Sequence, residues 1–92
     1  MAMCGYEKMD AGTITKPASS YPMTVPLHSC FGSGDDVTVV ASGFLEESST
    51  RYAIAIHPTV DLGGPKVTFT VTKYDGSTPS SGAVVVHWIA VA

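Results

Sequence analysis

The run GAVVVHWIAVA, residues 82–92, contains no charged side chain and is rich in Val and Ile. It is too short for a membrane-spanning helix, which takes about 20 apolar residues, and its β-branched content favours a strand. Successive side chains of a strand point to opposite faces. Ala83, Val85, His87, Ile89 and Val91 then share one face, and Val84, Val86, Trp88 and Ala90 the other. Both faces are apolar, whereas an antiparallel sheet in a small lone domain usually leaves one face wet. The expectation is that Trp88 and the even-numbered valines fill the core and that a neighbouring subunit covers the other face.

Length and composition support the same reading. Residues 1–92 make a single domain, since domains commonly reach about 100–150 residues. A chain this short buries a modest share of its surface, so a disulfide or self-association would help it. Hydrophobic residues make up 45% and charged residues 14%, again pointing to surface shared between subunits. The formal net charge is −3 and the five basic residues form no stripe, which argues against a nucleic-acid partner. No segment suits membrane insertion. The opening MAMCGYEKMDAG lacks the basic and long apolar regions of a secretory leader. Met1–Met3 reads as an expression remnant and carries no weight in the fold reading.

Val, Thr, Ile and Tyr dominate the apolar runs, with Gly, Pro, Ser and Asp between them, the pattern of an all-β chain. About six strands are expected: Ala11–Thr15, Tyr21–Ser29, Asp36–Ser42, Arg51–His57, Lys66–Tyr74 and the closing run from Ala83. Pro22 and Pro26 make the second an edge or bulged strand. Residues 43–50 (GFLEESST), with Glu46 and Glu47 solvated, and residues 58–65 (PTVDLGGP) read as connections. Asp75-Gly76 opens the last turn. Val67, Phe69 and Val71 alternate with Thr68, Thr70 and Thr72, giving one core face and one hydroxyl-rich face. In the fourth strand Tyr52, Ile54 and Ile56 oppose Arg51, Ala53, Ala55 and His57. Short strands separated by turn clusters suggest a small antiparallel β-sandwich.

No catalytic constellation is apparent, so enzyme activity is not expected. His28, Ser29 and Cys30 are sequence neighbours that a strand would point apart. Asp35-Asp36 in a Gly/Ser loop lacks the spaced calcium-loop pattern and reads as a solvated turn. Cys4 and Cys30 are open to two states, one bridge or two thiols. They are too few for zinc unless His28, His57 or His87 joins them, and no CxxC or HxxxH spacing is present. Neither a metal nor another cofactor is expected.

One polar set stands out. Arg51 opens the fourth strand while Tyr74 and Asp75 close the fifth, so antiparallel pairing of the two would bring all three to one rim. Arg supplies a donor fork, Asp acceptors, and Tyr a ring face with a hydroxyl, the chemistry a sugar requires. The same three residues also suit a surface ion pair beside a turn tyrosine, worth about 0–1 kcal/mol.

The closing VVVHWIAVA resembles the last strand of H-type lectin domains, which alternates apolar residues and ends in Trp-Ile-Ala or Trp-Ile-Ser. GYEKM is similar to their N-terminal Gly-aromatic-x-Lys-apolar segment, DVTVVASGFLEESSTRYAIAI to their paired central strands, and KVTFTVTKYD to the strand that follows. The resemblance implies a six-stranded antiparallel β-sandwich that assembles as a homotrimer and binds N-acetylgalactosamine-type sugars between subunits. Arg51 then falls on the sugar-contacting arginine, and Tyr74 and Asp75 on the aromatic and polar contacts, Asp75 standing where His is frequent. Asp10 is a candidate for a further acidic contact. GYEKMDAGTIT together with the final WIAVA also resembles the C-terminal tip domain of bacteriophage tail fibres, with Asp10-Ala11 where Pro usually precedes the Gly. Those tips are trimeric β-structures that bind host glycans. Both resemblances imply a glycan ligand and an extracellular or virion setting.

Overall fold

A computed structural model describes residues 2–19 and 23–92. It contains seven strands and, among the described residues, no helix. They are β1 (Ala2–Cys4), β2 (Lys8–Pro17), β3 (Met23–Pro26), β4 (Thr38–Glu47), β5 (Thr50–Asp61), β6 (Lys66–Lys73) and β7 (Ala83–Val91). All pairings are antiparallel, in the order β1-β2-β7-β4-β5-β6-β3. The all-β expectation is met, with seven strands where about six were expected.

The additional strand is β1, which overlaps the Met1–Met3 stretch read as a remnant; Ala2, Met3 and Cys4 pair with Asp10, Met9 and Lys8. Tyr21 and Pro22, expected to begin the second strand, lie outside the described residues. The rest of that strand shortens to β3, which pairs only with β6 and forms a sheet edge, as its proline predicted.

Two expected connections are strand. β4 runs through Gly43 to Glu47 and returns at Ser48-Ser49, both with positive φ (50° and 66°), directly into β5. β5 continues through Pro58 to Asp61. Its first residues pair with β4 as far as Ala53, and Ile54–Asp61 pair with β6. Beyond Ala53, β5 therefore has a partner on one side only, and a proline that cannot donate to a ladder is tolerated there.

The sheet curls around β5 so that the inner faces of β6 and β7 share one core. Val67, Phe69 and Val71 from β6 meet Val84, Val86, Trp88 and Ala90 from β7, with Ala18, Leu45, Met23, Val25, Leu27 and Phe31 completing the cluster. The expected alternation in both strands is observed. Tyr52, Ile54 and Ile56 pack half-buried against this core, while Ala53, Ala55 and His57 are exposed. Burying a side chain of this kind contributes about 1.5–3 kcal/mol.

The curl also brings the two margins of the sheet together. β3 lies against β2, and a disulfide joins Cys4, at the end of β1, to Cys30, in the loop after β3, with Cα atoms 5.9 Å apart. Beside it, the buried Asp10 carboxylate accepts the Ala11 N–H at 2.9 Å and the His28 N–H at 2.9 Å. A covalent and a charge-assisted link thus fasten β1 and β2 to the far edge of the sheet.

Candidate functional site

β5, which carries Arg51, and β6, which ends at Lys73 just before Tyr74 and Asp75 in the turn, are neighbours as expected, with Ile54 opposite Lys73. Alternation and register nevertheless give the three residues different partners. Arg51 lies opposite Glu46, its Nε 3.4 Å from Oε2, and its guanidinium sits 4.4 Å from the centroid of the Phe44 ring. An exposed ion pair contributes little; the cation–π contact adds about 0.5–1 kcal/mol and aims the side chain. Tyr74 stacks instead on Tyr52, with centroids 6.3 Å apart and planes inclined by 24°. Asp75 turns into its own loop, where its Oδ1 accepts the Ser77 hydroxyl at 2.6 Å and the Ser77 N–H at 3.0 Å. These bonds, the hydroxyl first, hold the Asp75 carboxyl below its ordinary value. Among the described residues, no hydrogen bond, ion pair or ring contact joins Arg51 to Tyr74 or Asp75 within one chain.

Tyr74 is 73% exposed and, with Tyr52, Glu47 and Lys73, lines a small depression of about 70 Å³. Glu47 is tied to the Ser81 hydroxyl. Glu47, expected as a solvated connection residue, instead ends β4 half-buried, and nothing in the sequence assigns a role to Lys73. The missed signal is register: the short Ser48-Ser49 turn places Glu47 opposite Thr50, next to Tyr52. The depression combines a ring face, a carboxylate and an ammonium, so it offers stacking, accepting and donating groups together.

A second surface lies on the outer face of the β2-β7-β4 sheet. Its rungs read Met9–Val91–Thr38, Ala11–Ile89–Val40, Thr13–His87–Ser42, Thr15–Val85–Phe44 and Pro17–Ala83–Glu46. Val40 is 61% exposed, and Ile89 and Val91 are also exposed, so the second apolar face of the closing run is uncovered in the single chain. His87 sits mid-face with its Nδ1 3.0 Å from Thr13 Oγ1. At one end this face opens into a depression of about 620 Å³ whose lining includes Met3, Tyr6, Glu7, Met9 and Asp36.

The remaining polar candidates are committed locally. Asp10 is inside, bound to two backbone N–H groups, and is not a surface contact. Asp35 accepts both an ion pair from Lys8 Nζ (2.8 and 3.0 Å) and the Gly32 N–H (2.8 Å), which hold its carboxyl below the ordinary value. The loop of residues 30–36 is thereby pinned to β2, and Asp35, expected in a solvated turn, is instead half-buried and ion-paired.

No protein-family model matches the chain, and neither a curated protein nor a solved structure shows significant similarity to it.

Proposed function

We propose that this chain is a non-enzymatic, lectin-like carbohydrate-binding protein that works as a homotrimer and recognises cell-surface glycans, of N-acetylgalactosamine or galactose type, outside the cell or on a virion. The two limbs of the curled sheet are, in this reading, the layers of a β-sandwich. The observation that carries the proposal is the exposed Tyr74 ring, steadied by Tyr52 and flanked by Glu47 and Lys73. A pyranose has an apolar C–H face for such a ring and hydroxyls that need both donors and acceptors. Arg51, on the opposite face near Phe44, reaches sugar from the neighbouring subunit when the outer faces associate. Asp75 keeps the Tyr74 turn in shape through Ser77.

Weak single sites gain strongly from linkage, so the test is a glycan array read with multivalent protein. Retained binding to one sugar class, lost in Tyr74→Ala and weakened in Arg51→Ala, is the expected result. Absence of binding to every glycan, or binding unchanged by both substitutions, overturns the assignment.

A second reading is a structural trimerisation or receptor-binding tip module of a phage tail fibre. The uncovered Val40, Ile89 and Val91 favour it, since exposed apolar patches mark interaction surfaces. Light scattering separates the possibilities: a trimer that Val40→Asp dissociates, with no glycan binding at any valency, supports the structural role. A wild-type monomer at micromolar concentration overturns both readings.

A further inference from the structure

The fastening that closes the sheet contains three metal-ligating side chains in one place. Cys4 Sγ, Cys30 Sγ and a ring nitrogen of His28 lie within 4.8 Å of one another. His28 Nδ1 is 3.1 Å from Cys4 Sγ and accepts the Cys30 N–H at 3.1 Å, so the nitrogen lies beside the sulfurs with its lone pair on an N–H that it releases when the ring turns to a metal. The ring's backbone is anchored independently, because the His28 N–H is held by the buried Asp10 carboxylate. Cys4 is anchored from the other side through the β1–β2 pairing. Two ligands therefore come from one short His-x-Cys turn and the third from the opposite sheet margin.

We propose that these residues form a redox-conditional metal site: bridged by a disulfide when oxidised, and holding Zn²⁺ through Cys4, Cys30 and His28 Nδ1 when reduced. Zinc binds thiolates at about 2.3 Å and imidazole at about 2.0–2.1 Å in a tetrahedron. With the S–S bond open, small side-chain rotations bring three ligands to those distances, and water completes the fourth position. The chemistry balances with a trialkylphosphine as reductant. The phosphine takes the oxygen of one water to become its oxide, the S–S bond breaks, and each sulfur receives a proton. Zn²⁺ then displaces one proton from each thiol and accepts the Nδ1 lone pair of neutral His28, releasing two protons to solvent. In both states the same two margins of the sheet stay joined, by a covalent bond in an oxidising setting and by a metal in a reducing one.

The experiment uses the full chain, oxidised or phosphine-reduced, with Zn²⁺ followed by native mass spectrometry and Co²⁺ by absorption. Reduced protein should take up one Zn²⁺ and show thiolate-to-Co²⁺ charge transfer, while oxidised protein shows neither. His28→Ala and Cys30→Ser should each weaken binding by more than about tenfold, since loss of even an outer-shell partner costs about 10–100-fold. Should a variant fail to fold, the wild-type His28 ring resonances decide the matter: zinc must shift them and leave the proton on Nε2. Should reduction melt the sheet, recovery of its circular dichroism on adding Zn²⁺ supports the site, and failure to recover overturns it. Equal binding by oxidised and reduced protein, no binding by reduced protein, or unperturbed His28 resonances at zinc saturation also overturns it.

Discussion

Gly12 and Trp88 are cross-strand partners in the β2–β7 ladder, and indole atoms lie 3.1 Å from where a Cβ on Gly12 would stand. On the other side of Trp88, in β4, the partner is the small Ala41. The indole lies in a lane cleared by its neighbours, which makes the glycine near the N-terminus and the tryptophan near residue 90 one packing unit. Trp88→Ala should destabilise the chain by about 3–5 kcal/mol. Gly12→Val should also destabilise it by pushing into the ring. In a urea-denaturation double-mutant cycle the two should be non-additive by about 0.5–3 kcal/mol; strict additivity would show that the ring does not depend on the glycine.

Gly43 has a different reason to lack a side chain. A Cβ there would run into the backbone carbonyl of Val85 in β7, and backbone cannot step aside as a flexible side chain can. Gly43→Ala should cost at least about 1–3 kcal/mol, the range for overpacking. Gly64→Ala is the matched control, since a Cβ at Gly64 meets nothing within 4 Å and surface changes usually stay within about 0.5 kcal/mol. Comparable thermal midpoints for the two variants would contradict this distinction.

Asp10→Ala should remove the acceptor of the His28 N–H, the bond that ties β2 to the loop after β3. A hydrogen bond to a charged group contributes about 1.5–3 kcal/mol, and the loss should be greater than for Asp61→Ala, whose carboxylate is exposed. Hydrogen exchange checks the mechanism locally: the His28 amide should lose protection in Asp10→Ala even where the core amides keep theirs.

The Lys8–Asp35 link predicts a pH dependence. The Asp35 pKa is lowered by the Lys8 hydrogen bond first and the Gly32 N–H second, from an ordinary value of 3.8. A carboxyl whose folded pKa is depressed contributes stability that is fully present above its unfolded pKa and is lost as pH falls through its folded pKa. The thermal midpoint of the wild type should therefore exceed that of Asp35→Asn above about pH 5, with the gap shrinking as pH drops below 3.8. A gap independent of pH would assign the effect to loop packing instead.

The legible parts of the fold were those that depend on alternation. Val67, Phe69 and Val71, and Val84, Val86 and Trp88, announce their buried faces by spacing alone. The β4–β5 hairpin was hidden because Gly43 resembles a chain breaker, whereas its role is close approach to β7. Its turn is made by two serines at positive φ, without the Asn-Gly signal that usually marks such hairpins. Pro58 concealed the second half of β5 in the same way, since nothing local reveals that β4 pairing has stopped. For the candidate site, Tyr74 and Arg51 are expected from residue type, strand-end position and resemblance, but their partners Tyr52 and Phe44 depend on register and face. The His28 contact with Cys4 crosses 24 residues of sequence and follows only from the curl.

The position of β7 in the strand order has a consequence for biosynthesis. β7 is the last strand in sequence, yet it is flanked by β2 and β4. While the chain emerges from the ribosome, those two strands have open edges facing a gap that residues 83–91 must fill. The nascent chain can assemble the β4-β5-β6-β3 limb early, and β1 and β2 can attach to its far edge through Cys30 and His28, but their place in the sheet beside β4 stays open until residues 83–91 arrive. Closure of this sheet is thus tied to synthesis of residues 83–91, and a ribosome stalled before Ala83 would hold two exposed strand edges, a recognised hazard for aggregation.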